Sequence, residues 1–463
     1  MTINPWLEER IHTPNPDTLS VLIEVKPGQA PAVLAQLQAL GLAPRSPTFQ
    51  AFIPVTVPKP LIPQLSALPG VVLVHYDMPA SIGAIPVEGF VPSHIDALLG
   101  EMRLSSVEVP FFPPAGPLGA LPVGQLGLGP LAGLLGRFGA ANIKRPGFDL
   151  IPTSQTRKLI GAPDDAQHNM TVAVVDTGVL FPAPQWGLNV QLHGTTGEPP
   201  LDLQGHGTHV GTTAWGNRAT SRFGELMGVS QPSKILGVKV LSNIGFGFTS
   251  NIFAGIEWAL QQGAKVINMS LGGEAQGGVD DDPYARLFRR IKGQAIFIVA
   301  AGNAGPEDWT IGSPAMSPDV LTVGSWSSLY KGVSDFSSRG PSSAWARDHQ
   351  DIWERDMASY GQDVVKPDVL GPGGGPVGGK TPVDLIYSSV AGWSDSMYDL
   401  LVDGAEGMRG TSMASPHVAG LVSLALARGV INNTEDIKSR MARVRQKSAD
   451  AGYGLLTWSR LQP

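Results

Sequence analysis

The stretch Thr171-Val172-Ala173-Val174-Val175-Asp176-Thr177-Gly178 decides the fold class of this chain. Its apolar run is continuous rather than alternating, which suits a strand covered on both faces, as in a buried parallel sheet. It ends in a carboxylate, Asp176, at the C-terminal edge of the strand, where open α/β sheets place their ligands. The same alternation continues downstream. Strands are predicted at 235–241, 266–269 and 295–300, and helices at 250–262 and 283–292. The first of these helices carries Ile252, Ile256 and Leu260 on one face and stops at Gly263. Strands separated by helical segments predict an α/β domain with a mostly parallel sheet and crossover helices.

Two further segments bring chemistry to that sheet. Gly205-His206-Gly207-Thr208-His209-Val210-Gly211 sets a histidine between glycines, where backbone can approach closely. Gly410-Thr411-Ser412-Met413-Ala414-Ser415-Pro416-His417-Val418-Ala419-Gly420 places a serine at the start of a small-residue helix. A helix N-terminus offers unpaired N–H groups and partial positive charge, both suited to a developing oxyanion. Alone, that helix also admits the reading of a tightly packed buried element. Together the segments supply a nucleophile in Ser412, a general base in His206 and an orienting carboxylate in Asp176. The three-residue spacing of His206 and His209 also occurs in zinc sites, but the flanking glycines and the pairing with Asp176 favour the base. Residues 410–414 lack the G-x-S-x-G elbow of α/β-hydrolase esterases, and the chain order Asp, His, Ser is not theirs.

These blocks, with Ala300-Ala301-Gly302-Asn303-Ala304-Gly305, resemble the subtilisin-like serine proteases over roughly residues 151–461. The resemblance implies a three-layer α/β/α fold and hydrolysis of peptide bonds in polypeptide substrates. It also implies that Asn303 donates its side-chain amide, and Ser412 its backbone N–H, to the oxyanion. A turn with Asn in a left-handed conformation is the plainer reading of Asn303. Asn303 and His206 together point to activity near neutral or alkaline pH rather than to the acid-active sedolisin branch. By the same resemblance, Gly245 and Phe246 form one edge of the substrate cleft. Ser270, Leu271, Gly272 and Gly273 form the other, so that a peptide adds as a strand between them. Ala301, Gly302 and Ala304 flank Asn303, and residues 310–314 form the floor of the primary pocket. Gly272 and Gly312 leave that pocket deep and Ala304 leaves its rim uncharged, which predicts a large apolar or aromatic residue before the scissile bond. Turn-forming glycines are the alternative. From a different functional class, a silenced protease-like scaffold that only binds is the competing reading, and the intact set of catalytic-type residues argues against it.

Composition fits this assignment without producing it. A chain of 463 residues with 42% hydrophobic residues can bury a large core in more than one domain. A net charge of −6 offers no basic footprint for nucleic acid, and the absence of cysteine excludes disulfides and thiolate metal sites. Residues 1–20 include Glu8, Glu9, Arg10 and Asp17 and no signal-peptide core, so a cytoplasmic location is expected unless export follows another route or the start lies upstream.

Residues 1–80 read as a small α/β unit, with strands at 19–25, 49–57 and 71–76 and helices at 31–40 and 61–68. It resembles the ferredoxin-like inhibitory propeptides of subtilisin-like proteases, which implies that it docks on the enzyme as an intramolecular inhibitor and chaperone in a self-processing zymogen. An unrelated small regulatory domain is the alternative. Residues 81–150 are expected to form a linker before the peptidase domain at 151–463. Within it, 109–136 has six prolines, seven glycines and no charge, and prolines at that density oppose a membrane-spanning helix. Residues 142–151, with Phe148 and Leu150, suit the expected pocket as a maturation site. Segments 342–361 and 376–408 look longer than the family core needs and read as rim loops or surface insertions. No cofactor is expected. Structural calcium occurs in relatives, but 216–228 has only one acidic residue, Glu225, and Asp280-Asp281-Asp282 reads more readily as a solvated acidic turn than as a cation site.

Overall fold

The structure, a computed structural model, describes residues 3–13, 16–82, 148–180, 186, 189–221, 223–275, 277–390 and 404–463. Residues 83–147 of the expected linker, with its 109–136 stretch and most of 142–151, lie outside these residues, as does part of the 376–408 segment, whereas the two ends of the linker, 81–82 and 148–150, are described.

Helix α1 (Pro5–Ile11) precedes a unit of β1 (Thr18–Val25), α2 (Ala30–Ala39), β2 (Phe52–Pro58), α3 (Ile62–Ser66) and β3 (Val71–Tyr76). Its strands form an antiparallel sheet in the order β2-β1-β3. Alternation along β1 divides its side chains between two surroundings. Val21 and Ile23 join Leu7, Val33, Leu37 and Val74 in the core of this unit. Leu22 packs with Phe253 in the core of the larger domain. The second strand begins later than its composition predicts, because Phe49 and Gln50 take positive φ values of 53° and 51° in the turn before it. A short strand, β4 (Pro79–Ser81), follows directly.

The remaining elements up to the central helix pair are β5 (Phe148–Pro152), α4 (Thr153–Leu159), β6 (Gln167–Asp176), β7 (Val190–Gly194), α5 (His206–Trp215), β8 (Ala219–Ser221), β9 (Gly224–Leu226), β10 (Gln231–Lys239), β11 (Phe246–Phe248) and α6 (Thr249–Gln261). After these come β12 (Val266–Met269), α7 (Pro283–Arg290), β13 (Ile296–Ala300), β14 (Leu321–Ser327), β15 (Gly332–Val333), α8 (Ala344–Asp348), α9 (Gln350–Tyr360), β16 (Val369–Pro372), β17 (Val383–Ser389), β18 (Ala405–Met408), α10 (Thr411–Ala427), α11 (Thr434–Ala442) and α12 (Trp458–Leu461). The central sheet runs β15-β14-β13-β12-β6-β10-β7, with β16 also on β14, and every pairing except β14–β15 is parallel.

Strand β6 shows why the apolar run is unbroken. Val172 and Val174 pack with α5 and α10 on one face, and Ala173 and Val175 with α6 and α7 on the other. All four are fully buried, each large side chain contributing about 1.5–3 kcal/mol of transfer free energy. The result is a three-layer α/β/α domain. Small residues let α10 approach its neighbours: a Cβ on Gly420 would stand 2.5 Å from Val229 and 2.7 Å from the Ala214 carbonyl of α5.

The described parts of the two long segments form regular elements. Residues 383–389 and 405–408 form a sheet with the chain entering the domain, in the order β18-β17-β5. His209 ties α5 to it, its Nε2 lying 3.0 Å from the Ile386 carbonyl and 3.2 Å from that of Glu406. Burial pulls the His209 pKa down to about 3, so it is a neutral structural group. The 342–361 segment becomes α8 and α9. These order the acidic turn, which is therefore not simply solvated: Asp280 accepts from Tyr360, Asp281 pairs with Arg355, and buried Asp282 caps α7 through the Ala285 N–H. In 216–228, β8 and β9 pair as a hairpin and Arg218 engages Glu225. Among the described residues no group of acidic or histidine side chains could hold a metal ion, and no helix is long and apolar enough to cross a membrane.

Candidate active site

Strands β10, β6, β12 and β13 are neighbours and parallel, so their C-terminal ends open on one side of the sheet. They deliver Lys239, Asp176, Ser270 and, past the end of β13, Asn303 to a single crevice. Helices α5 and α10 begin at that crevice and bring His206 and Ser412.

The His206 Nδ1 atom lies 2.8 Å from Asp176 Oδ1, which also accepts the Thr177 N–H at 2.7 Å. Asp176 is fully buried and His206 nearly so. Two residues that the sequence reading passed over hold this pair in register. Asp202 accepts from the N–H groups of Gln204, Gly205 and Thr208 and from the hydroxyls of Thr177 and Thr208, at 2.6–3.0 Å. The Thr177 hydroxyl in turn accepts the Gly207 N–H at 2.9 Å. One carboxylate thus clamps the residue after Asp176 to the helix that carries His206. Burial raises the Asp202 pKa, and the donors oppose that rise. An Asx-type turn was legible in Asp202-Leu203-Gln204-Gly205, where a side-chain oxygen caps N–H groups two and three residues on.

Ser412 is the second residue of α10, where backbone N–H groups have no carbonyl partner within the helix. Its carbonyl is also released from the helix ladder. Pro416, four residues on, has no N–H to donate, and Ser270 Oγ donates to the Ser412 carbonyl instead at 3.0 Å. Ser270 is held by Asn268 at 2.9 Å and Ser415 at 2.8 Å, all buried. Asn303 Oδ1 accepts the Thr411 N–H at 2.9 Å and hydroxyl at 3.0 Å, which fixes the amide beside the first turn of α10. The flanking residues are anchored too: Ala301 N–H bonds to Val323, Gly302 N–H to the Thr411 hydroxyl, and Ala304 N–H to Ser338.

The Ser412 hydroxyl does not reach His206, whose Nε2 has no partner among the described residues. It donates to the carbonyls of Ile82 at 3.1 Å and Ser270 at 3.3 Å. Ile82 follows β4, which lies in the cleft. On one side β4 pairs antiparallel with β11, Phe246 opposite Ser81 and Phe248 opposite Pro79, and Ile82 N–H bonds to Gly245 at 3.3 Å. On the other side Ser81 exchanges two 3.0 Å bonds with Gly272. Leu271 is buried beside it, and Gly273 pairs with Ser313 through two 2.9 Å bonds, which brings Gly312 against the Gly273 carbonyl. The segments 245–246 and 270–273, expected from the sequence to edge a cleft, are therefore bridged by the chain's own segment.

The N-terminal unit that leads into β4 rests on α6 and α7. Asp77 caps α6 at the Ser250 N–H (2.8 Å) and hydroxyl (2.7 Å), and Glu257 accepts the Phe49 N–H at 2.7 Å. Buried Glu24 receives Arg286 and Arg290 of α7, with His75 at 3.3 Å. Burial alone would raise the Glu24 pKa, but hydrogen bonds from His75 and Arg286 outweigh it and hold the carboxyl well below the usual range.

The profile of the Subtilase family, the S8 peptidases, matches residues 167–454, more than half of the chain. The chain belongs to this family. Over 305 residues it is 32% identical to Serine protease AprX of Bacillus subtilis (strain 168), covering 61% of this chain and 62% of that protein. It is 30% identical to Subtilase-type proteinase psp3 of Schizosaccharomyces pombe over 300 residues, 61% of this chain and 53% of the relative. It is 29% identical to Subtilisin DY of Bacillus licheniformis over 289 residues, 62% and 86% respectively. The alignments with the first two thus span 62% and 53% of those relatives' lengths. As a subtilase the chain needs no organic cofactor, since the site's chemistry resides in side chains.

Proposed function

We propose that this subtilase is a serine endopeptidase held as a self-capped zymogen, acting through Asp176, His206 and Ser412. The observation that carries the reading is the 2.8 Å Asp176–His206 pair at the strand ends where a second helix begins with Ser412, together with a strand of the same chain laid beside that serine. In turnover, Ser412 Oγ attacks the scissile carbonyl carbon while His206 Nε2 takes the hydroxyl proton. Asp176 fixes the tautomer and stabilises the imidazolium. The oxyanion is stabilised by the Ser412 N–H and the Asn303 amide. The carbon–nitrogen bond breaks as His206 returns the proton to the departing amine. Water then adds to the acyl-enzyme by the same route and frees the acid.

Residues 1–82 serve as the inhibitor. Docking on α6 and α7 supports this, as does the Ile82 carbonyl resting against Ser412 Oγ, where a substrate carbonyl belongs. That placement supports self-processing near the end of β4; the 142–151 stretch lies largely outside the described residues. Glycines at 272 and 312 and the uncharged Ala304 support a preference for a large apolar or aromatic residue before the scissile bond.

A silenced binding scaffold is the second reading, favoured by the Ser412 hydroxyl turning to Ile82 rather than to His206. Fluorogenic peptides varied at the residue before the scissile bond decide between the two. The peptidase reading expects hydrolysis that rises with time, prefers Phe and Leu types, and is abolished by Ser412→Ala. No hydrolysis after prolonged incubation would favour the scaffold, and a basic preference would refute the pocket assignment.

A further inference from the structure

Lys239 is a fully buried cation at the end of β10, directly beside Asp176 in the parallel register. An ammonium has three N–H donors and needs an acceptor for each when buried. Lys239 Nζ donates to the Thr177 carbonyl and to Asn243 Oδ1, each at 2.9 Å, and forms an ion pair with Glu198 Oε2 at 3.3 Å. The same Glu198 oxygen accepts the Asn243 N–H at 2.9 Å. Asn243 sits in the turn that presents the cleft edge, where Gly245 N–H bonds to Ser242 and Ser242 N–H to Phe246. The Gly245 carbonyl receives Ile82 N–H from the strand in the cleft. A chain of contacts therefore runs from the residue after Asp176, through one buried charge, to the backbone that a peptide must pair with.

We propose that Glu198, Lys239 and Asn243 are positioning residues that set the Gly245 edge relative to Asp176, and so govern how extended peptides bind. None of them touches the peptide; they act through the Gly245 carbonyl. Glu198 is the charge that keeps the buried ammonium neutralised, and it is itself partly exposed. Replacing it by glutamine keeps the shape and an acceptor oxygen but removes the ion pair with Lys239 and the charge-assisted part of the bond from the Asn243 N–H. The edge then loosens on one side of the cleft only, because Gly272 on the opposite side is held by other contacts. This assignment of role rests on the peptidase reading, whereas the geometry does not.

The test is therefore read first without activity. In the intact Ser412→Ala chain, amide exchange is followed at Ile82, which bonds to Gly245, and at Ser81, which bonds to Gly272. Glu198→Gln is expected to speed exchange at Ile82 by about three- to tenfold, the loss typical of one weakened hydrogen bond, and to leave Ser81 within about twofold. Asn243→Ala, which removes one acceptor of the buried ammonium together with its link to the turn, is expected to do the same. In Ser412-intact protein, KM for a peptide long enough to reach Gly245 rises by the same factor, while kcat on a short ester stays within about twofold. No change at Ile82 in either variant, or equal acceleration at Ile82 and Ser81, overturns the proposal. A chain without any peptidase activity removes the functional reading but leaves the exchange result to decide the geometry.

Discussion

Replacing Glu24 by alanine tests how the N-terminal unit is held over the cleft. The carboxylate is 1% exposed and receives guanidinium groups from Arg286 and Arg290, whose side chains are 21% and 31% exposed. Breaking a fully buried ion pair costs about 3–5 kcal/mol, because the remaining charge is left uncompensated. Here water reaches the arginine side, so the stranded guanidinium groups rehydrate in part and the cost falls to about 2–3 kcal/mol. That corresponds to an increase of about 30- to 150-fold in the fraction of time the unit is undocked. The bonds between Ser81 and Gly272 exist only while the strand lies in the cleft. Their amide exchange, measured in the intact Ser412→Ala chain where self-cleavage cannot interfere, reports the opening equilibrium. Glu24→Ala should lower protection at both amides by that factor. Protection within about twofold of the parent would refute the claim that the Glu24 cluster holds the cap.

Acid should act in the same direction as that substitution. The Glu24 carboxyl is held below its ordinary value in the folded chain, so its stabilisation is complete above about pH 4.3 and is lost as pH falls further. Undocking that increases only below about pH 4, and not in Glu24→Ala, is the expected result, with Arg286, Arg290 and His75 the charged and titratable groups facing it. Asn303→Leu should reduce kcat by about 10²–10³ with little change in KM, measured on a fluorogenic peptide. Asp202→Ala strands several buried donors and should cost about 2–4 kcal/mol in urea unfolding, with a fall in kcat as the Asp176–His206 register loosens. Gly312→Val places a Cβ about where one would lie 2.2 Å from the Gly273 carbonyl, and should lower kcat/KM for Phe-type peptides by at least about tenfold.

The parts of this molecule that follow from local pattern were legible in its sequence. The run at 171–175 announced a strand covered on both faces, and the structure shows Val172 and Val174 on one side and Ala173 and Val175 on the other. The helix at 411–427 could be read from its small residues. Features set by long-range pairing were not legible. Nothing near Asp202 in sequence names Thr177 as its partner, and nothing near Ser270 names the carbonyl that Pro416 leaves free. The second sheet joins Phe148–Pro152 to Val383–Ser389, elements separated by most of the domain, which is why 376–408 read as a loop. The cap's anchoring at Glu24 was hidden for the same reason, since a lone glutamate in an apolar strand reveals its arginines only once α7 is placed against it.

Self-cleavage decides whether Ser412 is the nucleophile of a self-capped peptidase. Purified chain and its Ser412→Ala variant are incubated in parallel, and intact mass and new N-termini are followed over time. The parent is expected to release a fragment ending at or one residue beyond Ile82, while the variant stays at its full 463 residues. Cleavage at the same rate in the variant would contradict that role for Ser412.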